Sequence, residues 1–161
     1  MTILTGDRLP EATLLQMGNE GPEAVALQDK LKGRKVVIFG LPGAFTGTCT
    51  TAHVPSFIRT RAGFAEKGVD EVICVSVNDP HVMKAWGEST GATAAGITML
   101  ADADASYTKA IDLAFTVPAA GFFDRSKRYA LYAEDGVVKV LHMEIERGCE
   151  ISGGEAMLAA I

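Results

Sequence analysis

Apolar residues in this chain fall into short runs separated by stretches of helical periodicity. Lys35-Val36-Val37-Ile38-Phe39 is an apolar run closed by Gly40 and Pro42, the pattern of a buried strand. A helix is predicted from about Thr50 to Lys67, ended by Gly68. Glu71 to Val77 is rich in β-branched residues and reads as a second strand. Asp79 then stands as an N-cap with Pro80 at the first helical position, ahead of Val82, Met83 and Trp86 at helical spacing. Ile97 to Leu100 forms a third strand, and Asp102 or Asp104 caps a helix from Ala105 to Leu113. Asp135-Gly136 between Tyr129–Ala133 and Val137–Leu141 is a hairpin signal. Ser152-Gly153-Gly154-Glu155 reads as a capping box opening a last short helix. Ala12 to Met17 and Val25 to Leu27 add edge strands, and the Gly- and Ala-rich stretch from Thr116 to Phe123 reads as a mobile loop.

The order β-α-β-α-β-α-β-β-α predicts parallel strands joined by helical crossovers and finished by an antiparallel hairpin. That is an α/β, thioredoxin-like fold with a mixed central sheet flanked by helices. At 161 residues, with no repeat or long linker, the chain is expected to form a single domain over 1–161.

Composition narrows the function classes. With 48% hydrophobic and 22% charged residues the chain is ordinarily globular. A net charge of −5 and the absence of a basic run give no electrostatic reason to bind nucleic acid or an anionic membrane. The start of the chain lacks the basic and apolar regions of a signal peptide, and no run is long enough to span a bilayer, so a cytoplasmic protein is expected. The cysteines at 49, 74 and 149 cannot all pair within one chain, and in a reducing compartment each is a core residue or a reactive thiol.

One of them stands apart. Pro42-Gly43-Ala44-Phe45-Thr46-Gly47-Thr48-Cys49 joins the first core strand to its helix. Ligands gather at the carboxyl ends of parallel strands, and a cysteine in the first turn of a helix meets unpaired N–H groups and the positive end of the dipole. Both favour thiolate, the nucleophilic form. Thr46 lies where dithiol oxidoreductases of this fold carry a second cysteine; a hydroxyl bonds to sulfur or oxygen but forms no disulfide. A one-cysteine nucleophile is therefore favoured over a dithiol exchanger. From spacing alone, Cys49 is equally well a small buried apolar residue.

At these residues the chain resembles the peroxiredoxins, in particular the peroxiredoxin-5 or plant type II subfamily. The likeness is carried by Pro42 to Thr46 with Cys49 and His53-Val54-Pro55, by Val75 to Pro80 with Met83 to Gly87, and by Arg125 to Leu131. It implies a thiol-dependent peroxidase that reduces hydrogen peroxide and organic hydroperoxides through a cysteine sulfenic acid, in antioxidant defence. Cys49 would be the nucleophile, Thr46 a hydrogen-bonding partner of peroxide and sulfur, Pro42 the shield of the thiolate, and Arg128 the arginine beside it. Arg125 is the runner-up for that last place, though it and Lys127 read more simply as solvated strand-end charges. Relatives often carry proline where Gly47 stands, which leaves this loop more freedom. Cys74 is either a core residue or a resolving thiol reached through local unfolding; Cys149 is a weaker candidate for that role. The resemblance further implies a homodimer, no metal or other cofactor, and an external thiol from thioredoxin or from glutaredoxin and glutathione. His53 lies either beside the pocket or on the helix surface, while Met83 and Trp86 are core or subunit-contact residues. His53, His81 and His142 show no zinc-like spacing with the cysteines. A rival function on the same fold is a peroxide-sensing redox regulator or binding module, which would react once and stall rather than turn over.

Overall fold

The computed structural model describes residues 1–145 and 148–161, with the backbone alone at Cys49. A seven-stranded sheet forms its centre, in the order β2-β1-β5-β4-β3-β8-β9. These strands are β1 (Thr13–Gly18), β2 (Gly21–Ala26), β3 (Lys35–Leu41), β4 (Glu71–Ser76), β5 (Ile97–Ala101), β8 (Tyr129–Glu134) and β9 (Val137–Met143). The central three, β3, β4 and β5, run parallel; β8 pairs antiparallel with β3, and β1 with β5. This is the mixed, thioredoxin-like sheet that the element order predicts.

Helices α1 (Leu27–Leu31), α2 (Val54–Glu66), α3 (Pro80–Thr90), α4 (Ser106–Ala110) and α5 (Gly154–Ala160) cover both faces. Burial on both sides explains why β3 and β4 are continuously apolar rather than alternating. Val37, Phe39 and Leu41 point to a core shared with Phe57 and Phe64 of α2, Trp86 of α3 and Met157 of α5. Val36 and Ile38 point to the opposite core, with Leu31 of α1 and Tyr107 of α4. Phe39 and Phe57 stack at 4.0 Å with parallel rings, which adds about 1 kcal/mol to their burial. No helix among the described residues is long and apolar enough to cross a membrane.

Local signals hold where the chain supplies their partners nearby. Asp79 caps α3 by accepting from Val82 N–H at 2.9 Å. Asp135 (φ 49°) and Gly136 (φ 77°) form the two-residue turn between β8 and β9. Three expectations are corrected. The helix expected from Ala105 to Leu113 is the short α4: Ala105, with φ 61°, is its N-cap and bears no capping side chain, while Asp102 from further upstream accepts from Tyr107 N–H and Thr108 N–H. The capping box does not form, because the Ser152 hydroxyl turns to Glu144; Gly153 is the N-cap of α5, and Ser56 Oγ accepts from Gly154 N–H at 2.9 Å. The stretch from Thr116 to Phe123 is not a plain loop. It belongs to a hairpin arm of β6 (Ala114–Val117), a 3-10 turn (Pro118–Ala120) and β7 (Phe122–Ser126), which make their own two-stranded sheet.

Candidate active site

The site is assembled by the register of β3. Gly40 pairs with Tyr129 of β8, and Tyr129 pairs with Met143 of β9. The carboxyl end of β3 therefore meets the chain just before β8 and just after β9, where Arg128 and Glu144 stand; Glu144 N–H donates to Arg128 O at 3.0 Å. From Leu41 the chain enters the Pro42 to Thr48 loop, in which Phe45 adopts φ 64°. Ala44 N–H donates to Asn78 Oδ1 at 3.0 Å, and Ser76 Oγ holds the same oxygen, so the end of β4 braces the loop. The Thr46 hydroxyl donates its one proton to Gly43 O at 2.7 Å, so toward a ligand it can only accept a hydrogen bond.

Cys49 opens a π-helical turn, Cys49–His53, that leads into α2. Such turns often mark functional positions within helices. The Cys49 side chain lies outside the described residues. Its neighbour Thr50 accepts from Trp86 Nε1–H at 3.1 Å, which ties the turn to α3. Trp86 and Met83 are both core residues.

His53 ends the turn fully buried, between Phe39 and Phe57. Its Nε2 lies 2.9 Å from Ser152 O, and its Nδ1 lies 3.0 Å from Arg128 Nη1. A guanidinium only donates and a carbonyl only accepts. The ring is therefore the neutral Nε2–H tautomer, with the Nδ1 lone pair facing Arg128. Burial, and then the Arg128 charge, lower its pKa to about 3, against the opposing pull of Ser152 O and Glu144. The sequence left His53 open between pocket and surface. Its four-residue step to Phe57 on the apolar side of α2 is the signal that favours burial.

Arg125 departs from the expected solvated charge. Its Nη1 donates to Pro42 O at 3.0 Å, and its guanidinium lies 5.4 Å over the Phe122 ring. A Cβ on Gly43 would sit 2.3 Å from that nitrogen, so glycine makes room for the arginine. Lys127 is exposed, as expected. Beside them an open cavity of about 800 Å³ is lined by residues of the loop, of the arm and of the β8 and β9 ends. Pro42, Thr46, Gly47 and Thr48 form its floor, Phe115, Val117, Ala120 and Phe122 of the arm one wall, and Lys127, Arg128, Glu144 and Ile145 another.

The other cysteines occupy different settings. Cys74 is fully buried in β4, between Phe39 of β3 and Met99 of β5, and does not line the cavity. Cys149 is half-buried, with its sulfur 4.0 Å from Ser152 Oγ. Burial pushes its thiol up, while the Ser152 hydroxyl and the Arg128 charge pull the other way. Burial also acts to raise the Glu144 carboxyl, but hydrogen bonds from Ser152, Ile151 and Glu150 outweigh it and leave that group below its usual range.

A thioredoxin-like sheet thus carries a T-x-x-C turn at the end of β3, with Arg128 bonded to the buried His53 that ends the turn. The Redoxin family model matches residues 4–158. Peroxiredoxin-2E-2, chloroplastic, of Oryza sativa subsp. japonica is 43% identical over 99% of this chain and 73% of its own length. Peroxiredoxin-2C of the same plant is 41% identical over 99% and 98%. The crystal structure of reduced Prx3 from Vibrio vulnificus in complex with H2O2 superposes with a TM-score of 0.93 at 45% identity, covering 99% of both chains. The chain belongs to the peroxiredoxins, and it is accordingly an oxidoreductase that reduces peroxides at the expense of thiols.

Proposed function

We propose that Cys49 is the peroxidatic nucleophile and that Thr46, Arg128 and Pro42 form the pocket in which it reacts. The thiolate attacks one oxygen of the hydroperoxide. An S–O bond forms as the O–O bond breaks, the sulfur is oxidised to sulfenic acid, and the departing RO⁻ takes a proton to leave as alcohol or water. Negative charge moves from sulfur to the leaving oxygen along this path. A guanidinium at the wall can follow it, and the Thr46 lone pairs can accept the peroxide O–H. The observation that carries this reading is the bond from Arg128 to buried, neutral His53, the last residue of the turn that Cys49 opens.

The cycle closes when an external thiol attacks the sulfenic acid, releasing water, and a second thiol reduces the mixed disulfide. We assign these thiols to thioredoxin or to glutaredoxin with glutathione, because Cys74 is sealed within the central sheet. A reducing compartment such as the cytoplasm suits that chemistry. The exposed side chains of Val117 and Ile145 at the cavity, and of Phe45 in the adjoining loop, support a homodimer formed on this face.

Dimedone trapping tests the nucleophile. One equivalent of peroxide should label Cys49 within seconds, and fast peroxide consumption by Cys49→Ser would refute the assignment. Steady-state turnover with the thioredoxin and glutaredoxin systems, on wild type and Cys74→Ser, identifies the donor. Loss of activity in Cys74→Ser with thioredoxin alone would point to an internal disulfide and overturn the external route.

A further inference from the structure

Glu144 follows β9, and its carboxylate is met by Glu150, Ile151 and Ser152, which precede α5. It accepts from Glu150 N–H at 3.1 Å, Ile151 N–H at 3.0 Å, Ser152 N–H at 2.7 Å and the Ser152 hydroxyl. Successive backbone N–H groups converging on one anion make a nest; here the anion is the protein's own. The nest fixes the Ser152 peptide, whose carbonyl receives the His53 Nε2 proton. With that proton committed, Nδ1 keeps its lone pair for Arg128. If the Ser152 carbonyl drifted, the ring could place its proton on Nδ1 and oppose one donor to another.

We propose that Glu144 is a positioning residue, whose nested carboxylate sets the His53 tautomer through Ser152 and so aims the Arg128 guanidinium into the reaction pocket. The inference rests on the reading of Arg128 as the catalytic cation. It adds a residue of the cavity wall whose carboxylate is turned to the protein's own N–H groups, and it predicts coupling along a defined path.

The experiment is a double-mutant cycle on the full chain. Stopped-flow fluorescence of Trp86, the single tryptophan, reports oxidation beside the turn, and nitrogen NMR of the His53 ring reports the tautomer. Glu144→Gln keeps the shape but offers a neutral amide to the nest. It should slow oxidation by hydrogen peroxide about tenfold and shift the ring signals toward the Nδ1–H form. In a His53→Asn background, where no tautomer exists, the same substitution should change the rate less than about twofold, as coupled sites require. Ser152→Ala removes only the hydroxyl from the nest and should give a smaller loss with the same direction of ring shift; it serves if Glu144→Gln fails to fold. Unchanged ring signals, an unchanged rate, or an equal loss in both backgrounds would overturn the proposal. The site reading fails separately: an Arg128→Ala protein at full speed refutes Arg128 as the cation, whatever the NMR of His53 shows. A slow Arg128→Ala beside a full-speed Glu144→Gln refutes only the role of Glu144.

Discussion

Holding His53 neutral should make this fold sensitive to mild acid, and the effect can be sized. The ring titrates near 6.5 in the unfolded chain and at about 3 in the folded one. Below pH 6.5 the unfolded state binds a proton that the folded state refuses. Stability is therefore intact above pH 6.5 and falls, as pH drops toward 3, by up to about 1.4 kcal/mol per pH unit. Integrated from pH 7, the loss is roughly 0.7 kcal/mol at pH 6 and about 2 kcal/mol at pH 5. His53→Gln removes the titration and leaves an amide able to donate and accept in the same cavity. Urea unfolding of both proteins at pH 7, 6 and 5 isolates the term, since the carboxylates titrate in both. Wild type should lose about 2 kcal/mol more than the variant between pH 7 and 5. Parallel losses would refute the reasoning, as would an NMR titration of His53 near 6.5, since either shows that burial and Arg128 do not keep the proton off.

Other perturbations follow from single contacts. Gly154→Ala places a Cβ 2.4 Å from Ser56 O, a backbone atom that cannot swing away. α5 must then lift from α2, and thermal unfolding should show a loss of about 2 kcal/mol. Gly43→Ala clashes with the flexible end of Arg125, 2.3 Å away, and touches Thr46 Cγ2 at 3.4 Å; stability should fall by less than about 1 kcal/mol, while the peroxide rate drops several-fold as Arg125 leaves Pro42 O, and Arg125→Ala should show the same drop. Glu71 is buried among Lys30, Arg34 and Thr98, whose hydrogen bonds overcome burial and depress its pKa. Its contribution is present above the ordinary carboxyl range and fades as pH falls through the lowered value. Glu71→Gln should cost about 2 kcal/mol at pH 7 in urea unfolding, and progressively less as pH falls below the ordinary carboxyl range.

What the sequence made legible was set by how local each signal is. The runs at Lys35–Phe39 and Glu71–Val77 could be read because strands buried on both faces need no partner to show their pattern, and Asp79-Pro80 and Asp135-Gly136 because cap and turn bond within a few residues. The capping box at Ser152 misled because a competitor eight residues upstream, the Glu144 carboxylate, takes the hydroxyl. The β6–β7 arm was hidden by alanine and glycine, which carry little strand preference; its pairing is made across the hairpin and anchored by Lys127 N–H on Leu113 O at 2.7 Å. Arg128 was singled out through the family resemblance, by counting back from the hairpin turn, and it stands immediately before β8. The ties of Arg125 to Pro42 and of His53 to Arg128 span 83 and 75 residues, and no local pattern foretells them.

The separateness of the β6–β7 arm has an evolutionary consequence. The seven-stranded sheet owes none of its ladders to the arm, yet four arm residues shape the cavity wall. Substitutions at Val117 or Ala120 can thus widen or narrow the entrance while the structural core stays untouched. Selection for larger or smaller peroxides has a module to remodel, uncoupled from the residues that keep the molecule folded, and the drift of substrate range among related chains should be concentrated there.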